Sequence, residues 1–371
     1  MNKGILILIC ILIVSCSDEK TTDFKTTTEK SERYVLDFMK SNHIPGMQIA
    51  VSHKGELVWS EGFGNSNLEL ETPVSCTSKF RIASVSKPIT AVLTAYLYQN
   101  GEMAIDSSVN QYLGGISNAN WDFTVRQLMC HAAGVRHYLA KDTSFIKCHN
   151  NIQKGLNIVK TDSLLYEPGS KFSYSSYGYN IIGAYIEKVT EQTFDELLRD
   201  SLFVPLNMPN STIDDPYSLI PNRTSAYQLN EDGEITNASF FDNRYKIPAG
   251  GMLSTAEDLI QFGNALLYGE YLTESSIKLL FTPYKYKDEK ESDTGFGWIT
   301  THDDNGNKLY GHLGGTTGGC SAIMIYPEKE LVIAWLGNLD ADWSDVPTKT
   351  IADFFLKEIE RPHSYTNSLA E

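Results

Sequence analysis

The sequence has little positive charge, no long hydrophobic run and no metal-binding motif, and each absence excludes a class of protein. Its 31 Lys and Arg residues are outnumbered by 46 Asp and Glu, which gives a formal net charge of −15. This charge disfavours nucleic acid and anionic lipid surfaces as partners. The longest apolar run, Gly4–Val14, is shorter than the about 20 residues needed to span a bilayer. The eight histidines form no His-Glu-x-x-His pair and the cysteine spacing fits no zinc motif, so we expect no metal and no cofactor.

The N-terminal residues have the composition of a secretory signal peptide. Lys3 precedes the apolar run, as a positive n-region precedes an h-region. The run ends in Ile13-Val14-Ser15-Cys16, which resembles the bacterial lipobox, whose cysteine is diacylated and becomes the mature N-terminus. Two acyl chains would anchor the protein stably. We expect a signal peptide (1–15), a tether (16–28) and an exported protein of the bacterial cell envelope, lipid-anchored at the outer membrane; the alternative is an ordinary signal peptide with an incidental cysteine.

Cys10 would leave with the signal peptide and Cys16 would carry lipid, so four cysteines would remain, namely Cys76, Cys130, Cys148 and Cys320. An oxidising compartment permits disulfides, and four cysteines allow three full pairings between which the sequence does not choose. A buried free thiol is the simpler expectation for each of them.

Hydrophobic periodicity changes along the chain and predicts strands at both ends with helices between them. The expected elements are a helix over 27–42, strands over 47–53 and 56–62, helices over 84–100, 177–191 and 254–267, strands over 296–301, 319–326 and 331–337, and a helix over 346–359. We predict an α/β (α+β) fold, in which an antiparallel sheet is flanked by terminal helices. A large, mainly helical lobe of about residues 84–285 would be inserted into a domain spanning 29–362. The active site would lie in the cleft between the two lobes.

The first chemical motif is Ser-x-x-Lys at the start of a predicted helix. Ser84 and Lys87 are three residues apart, so their side chains share one helical face and can hydrogen-bond. A serine hydroxyl becomes a good nucleophile when a neighbouring base takes its proton, and a helix N-terminus favours an oxyanion. Alone the motif is weak, because a helix-capping Ser84 with a solvent-facing Lys87 would have the same sequence.

Two further motifs follow along the chain. Tyr174 lies within Pro168–Tyr179, at the junction of a loop and a helix, where its phenol would point into a cleft. A phenol with a pKa of about 10 acts as a base only when burial or a neighbour tunes it, and a lysinium beside it would do so. The glycine-rich run Tyr310–Gly319 comes directly before a predicted strand and would let a substrate backbone approach closely. Individually these motifs also fit a packed aromatic side chain and a flexible loop.

Together, and in this order, the three motifs resemble those of the serine beta-lactamase and penicillin-binding-protein superfamily, which are Ser-x-x-Lys, Tyr-x-Asn and Lys-Thr-Gly. The tyrosine is similar to that of the class C branch, and the resemblance covers about residues 30–360. Thr124–Gly134 and Ala249–Leu259 look like family signatures of the cleft scaffold. Arg126–Tyr138 and Tyr174–Tyr179 look most like the mitochondrial serine beta-lactamase-like peptidases.

The resemblance implies a role for each matching position. Ser84 would be the nucleophile, Lys87 its proton acceptor or relay, and Tyr174 the second base. The tyrosine would protonate the leaving group and later activate water. The backbone N–H groups of Ser84 and Gly315 would form the oxyanion hole. The implied substrate-binding residues are Ser176, His312 and Gly314.

Two departures from the family pattern affect specificity. Ser176 stands where the family has asparagine, and His312-Leu313-Gly314 replaces Lys-Thr-Gly. A lysine in the third motif is a permanent cation for the carboxylate of penicillins, whereas a histidine, with an ordinary pKa of about 6.5, is mostly neutral at pH 7. We therefore expect weak or absent beta-lactamase activity.

The leading hypothesis is a hydrolase that cleaves an amide or ester bond through an acyl-serine intermediate. A peptidase or amidase acting on a small or cell-envelope peptide is favoured over a carboxylesterase, and a true beta-lactamase comes third. One alternative is a non-catalytic binding or scaffolding module, for which filament-forming members of the mitochondrial branch are a precedent. Another is a sensor whose acyl adduct persists.

Overall fold

The computed structural model describes residues 22–116, 121–142, 150–340 and 347–361. The predicted signal peptide, Cys16 and Cys148 lie outside these ranges. Within them, no helix is both long enough and apolar enough to cross a membrane.

A seven-stranded antiparallel sheet, built from both ends of the chain, is the centre of the described structure. The described residues contain, in chain order, the strands β1 (Gly46–His53), β2 (Glu56–Asn67), β3 (Thr72–Pro73), β4 (Phe80–Arg81), β5 (Thr212–Ile213), β6 (Tyr227–Leu229), β7 (Ile235–Asn237), β8 (Met252–Ser254), β9 (Ile299–His302), β10 (Lys308–Thr316), β11 (Gly319–Tyr326) and β12 (Leu331–Gly337). Seven of these strands form the large sheet. The sheet order is β3-β2-β1-β12-β11-β10-β9. β1 pairs with both β2 and β12, and in the β1–β12 pair Ala50 lies opposite Ala334. The predicted sheet assembled from distant segments is confirmed.

Helices cover the sheet and form most of the lobe between β4 and β9. They are α1 (Lys25–Ser41), α2 (Ser86–Gln99), α3 (Asn110–Leu113), α4 (Val125–Met129), α5 (Ile152–Gly155), α6 (Ser176–Thr190), α7 (Phe194–Leu198), α8 (Ile247–Gly250), α9 (Ala256–Tyr268), α10 (Glu274–Phe281) and α11 (Pro347–Ile359). The lobe also contains a small sheet in the order β4-β8-β5 and the β6-β7 hairpin. The mixed helix and antiparallel-sheet fold agrees with the predicted class.

The two faces of the large sheet support two hydrophobic cores. Successive residues of a strand point to opposite faces, and β12 shows this division. Ile333 and Trp335 belong to the core under the terminal helices, where the Trp335 ring packs edge-on against Phe38 of α1. Ala334 and Leu336 belong to the core shared with the inserted lobe. Burial on both faces explains why β12 is a continuous apolar run.

The folded domain begins earlier than predicted. The tether was expected to extend to residue 28, but α1 starts at Lys25, and Phe24 is buried before it. The Phe24 ring packs against Phe355 of α11 and against His53, at ring-centroid distances of 5.2 and 5.4 Å. Burial of this one aromatic ring ties residues 24–28 to the sheet, so the last part of the predicted tether is wrong.

Two other expectations need correction. The run Tyr310–Gly319 was placed directly before a predicted strand, with a flexible loop as the alternative, but residues 308–316 form a strand of their own, β10, between β9 and β11. Cys76 was expected to be buried and is exposed, whereas Cys130 and Cys320 are buried; all three are free thiols. Cys76 lies in the segment between β3 and β4, outside both cores.

Candidate active site

Ser84 lies in a tight turn that leads directly into α2. The turn, Ala83–Val85, is a 3-10 helix, so the α-helix begins at Ser86 and not at the predicted residue. Ala83 has a φ of +46°, in the left-handed region that a residue with a Cβ adopts at a cost of about 1–2 kcal/mol. Such strain persists where the surrounding structure enforces it, and it is common at functional sites.

A glycine of β10 provides the space for this turn. A Cβ on Gly314 would lie 2.3 Å from the carbonyl oxygen of Ile82 and 3.1 Å from the backbone nitrogen of Ser84. Ser321 of β11 also holds the turn, because its hydroxyl donates to the same carbonyl oxygen at 2.6 Å. Gly314 thus faces the backbone of the nucleophile turn, where only a hydrogen atom fits. The predicted part of Gly314 in substrate binding stays a prediction, and the structure adds a packing role to it.

Two side chains from separate segments converge on the Ser84 hydroxyl. Lys87 Nζ lies 3.0 Å from Ser84 Oγ and donates to the carbonyl oxygen of Ala249 at 2.7 Å. The Tyr174 hydroxyl lies 3.0 Å from the same Oγ. Lys87 is fully buried and its amine also lies 4.9 Å from the centre of the Tyr174 ring. The structure therefore brings together the serine, lysine and tyrosine that the sequence predicted as catalytic.

Burial determines which of these groups can accept a proton. It lowers the pKa of Lys87 well below its ordinary value, and the charge of Lys246 lowers that pKa further. Burial raises the pKa of Tyr174, although its hydrogen bond to Ser84 acts in the opposite direction. The expected tuning of the phenol by a neighbouring lysinium is not found. These directions favour a neutral amine that accepts the Ser84 proton beside a phenol that keeps its own.

Two histidines fix the position of Tyr174. His131 accepts a hydrogen bond from the backbone N–H of Ser175 through Nδ1 at 3.1 Å, and its ring centre lies 4.4 Å from that of Tyr174. His137 accepts from the backbone N–H of Ser176 at 3.2 Å and meets the tyrosine ring edge-on at 5.4 Å. Burial lowers the pKa of both, to about 4 for His137. Both are neutral acceptors that position the phenol.

The third motif carries no positive charge. His312 is buried, and its Nδ1 lies 2.6 Å from the carbonyl oxygen of Leu313, so that nitrogen carries the proton and donates. Burial, followed by the nearby Lys87, lowers the pKa of His312 to about 3. The imidazole is neutral at every physiological pH. It differs in this respect from the lysine that the resemblance would place here.

Tyr174 separates two cavities, which we name the polar cavity and the apolar cavity. The polar cavity has a volume of about 170 Å³ and contains Ser84. The apolar cavity, on the side of His312, has a volume of about 410 Å³. The polar cavity is lined by Ala83, Ser84, His137, Tyr138, Tyr174, Ser176, Lys246, Ala249, Gly250, Gly315 and Thr316. The apolar cavity is lined by His131, Phe172, Tyr174, Asp293, Thr294, Gly297, Trp298, Ile299, His312 and Leu313.

The predicted site residues divide between these surroundings. Ser176 and Gly315 lie in the polar cavity beside Ser84, as an oxyanion hole formed by Ser84 and Gly315 requires. His312 lies in the apolar cavity. In the part of the chain that the structure describes, no group of three or more His, Cys, Asp or Glu side chains is arranged to hold a metal ion.

Lys246 is the main residue of the site that the sequence did not reveal. It ends a 3-10 turn, Arg244–Lys246, and is 6% exposed where it enters the polar cavity. His131 and His137 lie inside stretches that were recognised as family signatures, but no role was assigned to them. The signature identified at Ala249–Leu259 begins three residues after Lys246. A lysine that ends a polar segment looks like an exposed residue until the fold buries it.

Comparison with known proteins agrees with this geometry. Residues 32–355 match the family described as Beta-lactamase. The chain belongs to the beta-lactamase family. It is 25% identical, over an alignment of 382 residues, to serine beta-lactamase-like protein LACTB, mitochondrial, of Homo sapiens, covering 77% of this chain and 69% of that protein.

Solved structures show the same beta-lactamase fold. A class C beta-lactamase superposes with a TM-score of 0.75 at 20% identity, covering 91% of this chain and 97% of the other. A D-stereospecific amidohydrolase from Streptomyces sp. superposes with a TM-score of 0.73 at 20% identity, covering 87% and 97%. The predicted membership of this serine hydrolase superfamily is confirmed.

Proposed function

We propose that this member of the beta-lactamase family cleaves an amide or ester bond through an acyl intermediate on Ser84. The observation that carries the proposal is the position of Ser84 Oγ, which lies 3.0 Å from both the buried amine of Lys87 and the hydroxyl of Tyr174. A base and an acid within hydrogen-bond reach of one hydroxyl are what nucleophilic catalysis by serine needs.

The proton transfers balance with these groups alone. Ser84 Oγ attacks the carbonyl carbon while its proton passes to the neutral amine of Lys87, and the backbone N–H groups of Ser84 and Gly315 would stabilise the oxyanion. Tyr174 then donates a proton to the leaving nitrogen or oxygen as its bond to the carbonyl carbon breaks, and recovers one from the lysinium. In the second half, water attacks the acyl carbon and gives its proton to Lys87. The lysinium returns that proton to Ser84 Oγ as it leaves.

The substrate is proposed to be a small peptide, amide or ester, with penicillin-type substrates disfavoured. The neutral His312 lacks the charge that would bind the carboxylate of a penicillin in the third motif. An amidohydrolase with the same fold makes amide cleavage compatible with this scaffold. Nitrocefin hydrolysis by the purified protein is therefore expected to be slow, and efficient turnover would contradict this specificity.

The decisive experiment is intact-mass analysis after treatment with a fluorophosphonate. Wild-type protein should gain one adduct, and Ser84→Ala, which removes only the hydroxyl, should gain none. Ser86→Ala is the matched control, because Ser86 is buried two residues away and should leave labelling unchanged. A folded wild type that takes no label would contradict the proposal and would favour a binding or scaffolding module. An acyl adduct formed from a carboxylic ester substrate that persists on the protein for hours would indicate a sensor.

We also propose that the protein is exported and lipid-anchored through Cys16 at the bacterial outer membrane. The support is the sequence pattern of Lys3, the apolar run Gly4–Val14 and the cysteine that follows it. Labelling of cells with radioactive palmitate should mark the wild type and Cys76→Ala, which removes an exposed thiol, but not Cys16→Ala. Label retained in Cys16→Ala would overturn the lipid-anchor proposal.

A further inference from the structure

The polar cavity contains a buried cation without an ion-pair partner. Lys246 Nζ has one hydrogen-bond contact, to Thr316 Oγ1, at the long distance of 3.5 Å. Among the residues that the structure describes, no carboxylate lies within ion-pair distance of this amine. A buried ammonium without a partner is unfavourable, and proteins retain one where a ligand or reaction uses it.

The acidic group that acts on Lys246 is engaged elsewhere. Asp214 is close enough to favour the charged form of Lys246. Its carboxylate, however, already accepts hydrogen bonds from Arg81 Nε and Asn243 Nδ2, both at 2.8 Å, and Arg223 lies 3.7 Å away. Two arginines therefore balance this carboxylate, and little of its charge is left for the lysine.

The rest of the polar cavity also lacks negative charge. Its lining contains no aspartate or glutamate, in contrast to the apolar cavity, which is lined in part by Asp293. His137 is neutral, and the amine of Lys87 is used by Ser84 and Ala249. A negative group entering this cavity would meet a lysine whose amine lies over the rings of Phe241 and Tyr138, at 4.7 and 5.7 Å from their centres, and has no carboxylate partner among the described residues.

We propose that Lys246 binds a carboxylate of the substrate, so that the natural substrate is an amide or ester with a carboxylate close to the scissile bond. The assignment rests on the proposed function, because it places the carboxylate in the cavity that contains Ser84. The cation lies in the polar cavity, whereas His312 of the third motif lies in the apolar cavity, so the expectation of slow nitrocefin turnover is unchanged. The aromatic lining of the apolar cavity, including Phe172 and Trp298, fits an apolar group on the other side of Tyr174.

The test compares matched substrate pairs that differ in one charge. Peptide aminomethylcoumarins with Glu or Gln at the scissile bond place the carboxylate on the acyl side. Acetyloxybenzoate and its methyl ester place it on the leaving group. The measured quantity is the ratio of kcat/KM for the acid to that for the neutral substrate. This ratio cancels any general effect of Lys246 on the basicity of Lys87.

Wild type is expected to prefer the acid in at least one pair. Lys246→Met should reduce that preference by at least about 10-fold, as expected for loss of a hydrogen bond to a charged group. Lys246→Arg should retain part of it. Lys171→Met, which removes an exposed lysine three residues before Tyr174, is the matched control and should leave the ratio unchanged. No acid preference in either pair, or one that survives in Lys246→Met, would overturn the assignment.

A second measurement separates this inference from the proposed function. Calorimetric titration of the inactive Ser84→Ala protein with the Glu peptide should show binding that is lost when Lys246→Met is added. If the wild type takes no fluorophosphonate but this binding is found, the hydrolase proposal fails and the carboxylate site stands. If the wild type is labelled by the fluorophosphonate but shows neither binding nor an acid preference that depends on Lys246, the hydrolase proposal stands and the carboxylate site fails.

Discussion

The polar and apolar cavities share Tyr174 but differ in almost every other respect. The polar cavity is the smaller, and backbone segments around Gly250 and Gly315 crowd Ser84 and Lys246 within it. The apolar cavity is more than twice as large, at about 410 Å³ against about 170 Å³, and aromatic rings form much of its wall. Reacting and charged groups are thus held where little can move. Residues of the polar cavity should decide whether a bond is cleaved, and those of the apolar cavity which molecule is accepted.

Removing the base from the polar cavity should have the largest effect on the rate of bond cleavage. Lys87→Met keeps the length of the side chain but abolishes proton acceptance from Ser84, so kcat/KM should fall by about 10³-fold or more for every substrate. Fluorophosphonate labelling should slow in parallel. Lys171→Met is the control and should react as the wild type does. A variant with more than a tenth of the wild-type rate would mean that Tyr174 acts as the base.

Filling the space behind the nucleophile turn should have the second-largest effect on the reactivity of Ser84. In Gly314→Ala the added methyl group would lie 2.3 Å from a backbone oxygen of Ile82, so the nucleophile turn must move. We expect labelling of Ser84 to slow by about 100-fold, because small displacements at a reacting group are costly. Gly178→Ala is the control, since its Cβ would make an ordinary contact at 3.5 Å inside α6. Equal labelling rates in the two variants would refute the close packing of β10 against the turn.

A pH titration should remove the charge of Lys246 in the polar cavity without any mutation. Burial lowers the pKa of Lys246 to about 8, with Arg81 lowering it further and Asp214 raising it. Burial also lowers the pKa of His137 to about 4 and that of Lys87 well below its ordinary value. Lys246 is charged below this pKa and neutral above it. The preference for an acidic substrate should therefore be largest near pH 7 and fall by about 10-fold as pH rises towards 9.5.

The variant Lys246→Arg provides the control for this titration. A guanidinium stays charged throughout the range, so whatever acid preference this variant has should not change between pH 7 and 9.5. An acid preference that falls equally in the wild type and in Lys246→Arg would mean that another group titrates.

The apolar cavity should give the smallest effect and a different kinetic pattern. Phe172 is 47% exposed and its ring meets that of His131 edge-on at 5.7 Å. Phe172→Ala should raise KM by about 3- to 10-fold for substrates with a large apolar group and leave kcat nearly unchanged, since it removes contact area that binds ground state and transition state alike. Phe240→Ala, which removes an exposed ring outside both cavities, is the control. A fall in kcat with unchanged KM would contradict the division between the two cavities.

Elements with a strong local pattern were predictable from the sequence. The strands over 319–326 and 331–337 were predicted with their observed bounds, because continuous apolar runs ending at turns leave few alternatives. Ser84, Lys87 and Tyr174 were found because three motifs occurred in a recognisable order.

The remaining features depend on contacts between distant segments. β10 contains glycines that are unfavourable in an isolated strand, and it forms because β9 and β11 pair on either side while Gly314 meets the nucleophile turn. The burial of Phe24 depends on α11, at the other end of the described chain. Lys246 becomes a site residue only because its turn packs beside Thr316. No local pattern carries this information.

The order of the sheet has a consequence for how activity arises during synthesis. The serine is translated early, but β10, the strand that packs behind it, comes more than two hundred residues later. β1 is paired on both edges only when β12 has also been made. A nascent chain that has been made only as far as Ser84 therefore lacks most of the strands and side chains that surround this serine in the folded protein. Pairings this distant form slowly. Any hydrolytic activity should therefore appear only after β12 has been made and has paired with β1 and β11.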